Sequence, residues 1–139
     1  MDKMKFKTAT PIFVVFLLVA NFLFAKDTLV PAIQIDDMII TQYEIDQRIL
    51  FFELLKFPGN HKKEAQKTLI DDRLKLRAAD KFNVKINSNA LNFEMEMFAK
   101  RANLTVEQLA ERLKKAGVDS KTWENYMQIP ILWFETVNR

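Results

Sequence analysis

A chain of 139 residues is one domain by size, with no room for separate catalytic and recognition domains. Its two glycines, Gly59 and Gly117, cannot form a phosphate-binding loop or a dinucleotide fingerprint. The lack of cysteine excludes disulfides, thiolate nucleophiles and zinc knuckles, and the single histidine, His61, excludes a multi-histidine metal centre. The net charge is +3, with both signs interspersed and no basic stripe, which leaves nucleic-acid binding without support.

Residues 1–25 read as an address. Lys3, Lys5 and Lys7 precede an apolar run from Ile12 to Phe24, and Ala25 stands before the charged Lys26-Asp27. That is the pattern of a secretory signal peptide, with cleavage expected after Ala25. The alternative is a retained anchor, but thirteen helical residues rise only about 20 Å against a hydrocarbon core of roughly 30 Å. No stable membrane insertion is expected after cleavage. Removing Lys3, Lys5, Lys7 and Asp2 takes 21 basic and 18 acidic side chains to 18 and 17, a net charge of +1. A cysteine-free exported chain suits an oxidising compartment.

Residues 26–139 read as a mainly helical domain that opens with a short hairpin. Val30–Ile35 and Met38–Ile40 are apolar runs on either side of Asp36-Asp37, a turn without the glycine that a two-residue hairpin favours. Thr41 and Glu44 form a capping box before an apolar-rich helix to Phe57, and Pro58-Gly59-Asn60 stops it. A second helix is predicted from about Lys62 to Phe82. Its apolar residues wrap much of its circumference, the mark of a helix surrounded by others. Asn87 can cap a third helix to about Ala102. Thr105 and Gln108 form a second capping box for a fourth helix, closed by Gly117. Asp119 or Ser120 starts the last, with Trp123, Tyr126, Met127, Phe134 and Val137 along one side. Pro130 removes the hydrogen bond to the Tyr126 carbonyl and predicts a kink.

The order of these pieces carries a resemblance. Ile33–Ile49 is similar to the "V-N-x-x-I-T-x-x-D-(L/V)-x-x-R" opening of SurA-type periplasmic chaperones. Thr68–Leu74 resembles their "L-I-x-x-x-L" segment, Phe82–Asn87 their "G-V-K-I-S" helix start, and Ala102–Leu109 with Ala116–Tyr126 their "N-M-T…G…(Y/F)" region. The match runs in order through nearly all of residues 30–139. It implies the SurA N-terminal fold, of the trigger factor/SurA peptide-binding kind. It also implies an exported, nucleotide-independent chaperone for unfolded outer-membrane and envelope proteins, without cofactor. In this family a parvulin-type prolyl isomerase domain usually follows; the sequence stops at Arg139, where one would begin. The expectation is therefore a non-enzymatic module. The alternatives are the N-terminal part of an isomerase and a structural module that pairs with another chain.

Candidate residues divide into two groups. His61, Asp36-Asp37 and Asp71-Asp72 read as solvated charge: helical neighbours do not face each other, and Lys67 and Lys75 flank Asp71. Thr105 explains the Asn103-Leu-Thr105 sequon better as an N-cap than as part of a modification site. The apolar group is the candidate binding surface: Phe51, Phe52 and Leu55 on the first helix, Phe93, Met97 and Phe98 on the third, and Met127, Trp133 and Phe134 on the last. Phe51 and Phe52 point about 100° apart, as do Met97 and Phe98, so one buried face cannot take them all. Aromatic and Met side chains at the edge of a core can repack against many apolar peptides, or against a second copy of the chain as a homo-oligomer.

Overall fold

The computed structural model describes residues 30–139. The expected signal peptide, residues 1–25, lies outside the described residues. Two strands, β1 (Pro31–Ile35) and β2 (Met38–Thr41), form an antiparallel hairpin. Five helices follow: α1 (Gln42–Leu54), α2 (His61–Lys81), α3 (Ser88–Arg101), α4 (Val106–Lys115) and α5 (Ser120–Val137). None of the described helices is long and apolar enough to cross a membrane.

The hairpin turns without glycine because Asp36 itself adopts the left-handed conformation, at φ 52°. Asp and Asn tolerate that region better than other side chains. Arg77 of α2 then ion-pairs with both Asp36, at 2.8 Å, and Asp37. These two carboxylates remain largely solvated, as the sequence suggested, and form exposed ion pairs between the hairpin turn and α2. Ile40 of β2 points inward and is fully buried, while Ile39 faces water, as the pleat requires.

Both capping boxes form. The Glu44 amide donates to Thr41 Oγ1 at 3.2 Å and the Thr41 amide to the Glu44 carboxylate at 2.9 Å; Thr105 and Gln108 repeat the exchange. Burial pushes the Glu44 carboxyl up, but the Thr41 amide and the Arg73 guanidinium outweigh it and hold the group below the usual glutamate range. A lowered carboxyl contributes stability above its unfolded value, and that contribution is lost as pH falls through the folded value.

The first four helices end alike. After α1 the Phe57 amide donates to the Phe52 carbonyl at 2.9 Å and Lys56 to Glu53 at 3.0 Å. Val84 and Asn83 close α2 in the same way, Leu104 and Asn103 close α3, and Val118 and Gly117 close α4. Each pair is a Schellman motif, with a left-handed residue followed by an apolar one that packs back on the helix. The left-handed positions are Lys56 (φ 54°), Asn83 (φ 52°), Asn103 (φ 55°) and Gly117 (φ 84°). Three of these are residue types that tolerate the conformation; Lys56 does not. The first helix accordingly stops at Leu54, three residues before the expected end.

The helix most deeply set in the core is α1, not α2. Ile45, Gln47, Arg48, Phe51 and Phe52 are all buried and cover an arc of about 160° around its axis, while Asp46 and Glu53 on the opposite side are exposed. By contrast α2 buries only Ala65, Leu69 and Ala79, and leaves Leu74 47% and Phe82 54% exposed. The apolar residues around α2 have neighbours on the side of α1, α5 and β2 only. The main core joins α1, α3, α4 and α5 around Phe51, Phe52, Leu113 and Trp123, and a smaller one joins the hairpin to α1 and α2 through Ile40, Ile45 and Leu69. The last helix continues through Pro130 to Val137. Before that proline its apolar face enters the core at Trp123, Met127 and Ile129; after it, Phe134 and Val137 are exposed.

Two substitutions test these local arguments by urea midpoint. Thr41→Ala should lower stability by about 0.5–2 kcal/mol through loss of its cap. Lys56→Gly should raise it by about 1 kcal/mol by relieving the left-handed side chain, and an unchanged or lower midpoint would remove Lys56 from that role.

Candidate functional site

An open groove of about 660 Å³ lies between α3 and α5, with Phe57 from the α1–α2 loop at its edge. On α3 the lining residues are Ala90, Phe93, Glu94, Phe98 and Arg101; on α5 they are Tyr126, Met127, Pro130, Ile131, Phe134 and Glu135. Both sets follow the three-and-four spacing of a single helical face. Phe93 is 59% exposed and Phe134 65%, the two most exposed large apolar side chains among the described residues.

The nine candidates from the sequence divide three ways. Phe93, Phe98, Met127 and Phe134 come together in this groove. Met97 and Trp133 are exposed but line none of it, and Leu55 is half-buried against the main core. Phe51 and Phe52 are corrections: both are sealed in the core and cannot touch a partner in this fold. Their role is to support the groove from beneath. The Phe51 ring lies 6.4 Å from that of Phe98 and meets the edge of Tyr126 at 5.2 Å; Phe52 stacks on Phe57 at 4.8 Å. Three lining aromatics therefore rest on two buried ones.

Below them lies a polar seam that the sequence reading missed. Arg48 is only 2% exposed. Its Nη2 pairs with the Asp72 carboxylate at 2.8 Å and its Nη1 donates to Thr68 Oγ1 at 3.3 Å. Its guanidinium carbon lies 5.2 Å from the centre of the Tyr126 ring and 5.8 Å from that of Phe52, within cation–π range. Burial pushes the Asp72 carboxyl up, and the Arg48 charge only partly opposes it. Burial also raises the Tyr126 hydroxyl. Asp71 is a solvated partner of Lys75, at 2.6 Å, as its spacing predicts, but Asp72 is not part of that solvated face. The signal for Arg48 was its position: it is three residues after Ile45 and four before Phe52, on the apolar stripe of α1.

Gln47 adds a second tie. It is buried; its Nε2 donates to the Gly117 carbonyl at 3.1 Å, and its Oε1 accepts from the Asp119 amide at 2.6 Å. Tyr43 Oη donates to the Asp119 carboxylate at 3.1 Å. These bonds fix the α4–α5 turn, and with it the start of the helix that forms one wall of the groove. His61 is less free than expected: its Nε2 donates to the Phe57 carbonyl at 2.7 Å and steadies the loop that carries Phe57.

Two other hollows are less suited to a chain segment. A polar cavity of about 120 Å³ lies beside Arg48, Asp72 and Tyr43, and an open furrow of about 580 Å³ between α4 and the start of α5 has Glu107, Glu111 and Glu124 on its sides. No cluster of three or more metal-ligating side chains occurs among the described residues. Comparison with known protein families finds no match, and comparison with curated proteins finds none either.

Arg48→Met should destabilise the fold by about 3–5 kcal/mol, because it strands the Asp72 carboxylate in the interior. Adding Asp72→Leu should restore most of that loss. Urea unfolding of the two variants checks this, and a double variant no more stable than the single would show that Asp72 is not the stranded group.

Proposed function

We propose that this chain is a chaperone module that holds apolar segments of unfolded outer-membrane and other envelope proteins in the α3–α5 groove and releases them without nucleotide. One observation carries the reading. The most exposed large aromatics stand on two facing helices and line a single open groove, over a base of buried rings. Burying an exposed Phe or Met side chain contributes roughly 1.5–3 kcal/mol, which is reason enough for an unfolded segment to enter. The resemblance of residues 30–139 to SurA-type chaperones supports the same reading, and residues 1–25 support action in the periplasm after export. Affinity for any one segment is low, because the groove is open and binding must offset the ordering of a flexible chain. The exposed rings of Phe93 and Phe134 favour tolerance of many sequences over a fit to one.

The test is light scattering from an unfolded porin diluted out of denaturant. Phe93→Ser combined with Phe134→Ser should abolish most of the suppression of aggregation. Both side chains are exposed, so the urea midpoint should shift by no more than about 0.5 kcal/mol per site. Full suppression by the double variant would place the client elsewhere.

A further inference from the structure

Three charges line the apolar groove, and none has an ion-pair partner among the described residues: Glu94 and Arg101 on α3, and Glu135 on α5. A fourth polar group is backbone. Pro130 has no N–H, so the Tyr126 carbonyl lacks its helical donor. Tyr126 and Pro130 both line the groove, four residues apart on one stripe. Negative charge thus predominates among the lining side chains, with two carboxylates on opposite walls against a single guanidinium. Arg101 is the last residue of α3, seven residues from Glu94 and about 10 Å further along the axis. It sits too far along the helix to neutralise Glu94.

A wholly apolar segment in this groove would crowd the two carboxylates and leave them unpaired as it displaced their water. An acidic segment would add repulsion to that cost. A segment with one Arg or Lys among its apolar residues would meet neither penalty.

We propose that the groove selects apolar segments that carry a basic side chain, with the cation received by Glu94 and Glu135 from opposite walls. The inference rests on the reading of the groove as a segment-binding site and adds a charge rule to it. The groove then prefers one class of unfolded sequence: large apolar residues with Arg or Lys within a residue or two, as occurs where a strand alternates between apolar and polar positions. The rims being exposed, the preference is moderate and sensitive to salt.

The experiment uses the full chain and three labelled ten-residue peptides of identical apolar content, with Arg, Gln or Glu at one central position, followed by fluorescence anisotropy. The expected order is Arg, then Gln, then Glu, with about fivefold between Arg and Gln at low salt and little difference at high salt. Glu94→Gln with Glu135→Gln should bring the Arg peptide down to the level of the Gln peptide while leaving the Gln peptide unweakened. Both glutamates are exposed, so the variant should keep the wild-type thermal midpoint. Equal binding of the three peptides, or an Arg preference that survives in the double variant, would overturn the charge rule and leave the groove as a binding site. No binding of any peptide by the wild type would overturn the groove reading itself.

Discussion

The Arg48–Asp72 pair is the constraint on which the rest of the arrangement depends. A guanidinium removed from water must be paired, or the helix that carries it is buried only at a large cost. Thr68 and Asp72 of α2 receive its Nη1 and Nη2, its Nε has no acceptor, and the faces of Phe52 and Tyr126 close over it from α1 and α5. Three helices therefore have to meet at one angle and in one register. An apolar side chain at position 48 could pack in several ways; a charged one in a fork of fixed geometry accepts far fewer. Gln47 does the same for the α4–α5 turn, since its amide meets both a carbonyl and an N–H of that turn. With α1 thus fixed, Phe51 and Phe52 lie where Phe57, Phe98 and Tyr126 can rest on them.

That layering connects the core to the surface. Phe57, Phe98 and Tyr126 at the groove are the second course of an aromatic stack whose first course, Phe51 and Phe52, is sealed. Pro130 then divides α5 into a half that enters the core and a half that stands above it. The buried half holds the helix in place, and the outer half can present Ile131 and Phe134 without having to satisfy the packing of the interior. A groove built this way can change its contents while its base stays still.

Much of this was legible in the residues, and the reason is local. Capping boxes at Thr41 and Thr105, the Asn87 cap and the left-handed Gly117 are signalled by residues three or four apart, so element order and most boundaries follow from short-range chemistry. The end of α1 was misplaced because a lysine occupies the position where a glycine or asparagine would have marked it. What could not be read depends on contacts between distant segments. Arg48 and Asp72 are 24 residues apart, and Gln47 and Gly117 are 70 apart; nothing in either neighbourhood announces the other. The same gap explains Phe51 and Phe52. Two adjacent aromatics point about 100° apart, and the inference that one must lie outside the core holds only if the buried arc of the helix is narrow. Helix α1 has a solvent side, at Asp46 and Glu53, but its buried arc, from Gln47 through Phe51, Arg48 and Phe52 to Ile45, is wide enough to take both rings.

The central claim is that a fixed α1 core supports a separate, exchangeable binding face on α3 and α5. Amide hydrogen exchange with and without a saturating unfolded porin segment reads both parts at once. The account predicts slow exchange in α1 that the segment leaves unchanged, together with new protection confined to the groove-lining turns of α3, the second half of α5 and the Phe57 loop. Protection concentrated on the outer face of α2, or a loss of protection in α1 as the segment binds, would contradict it.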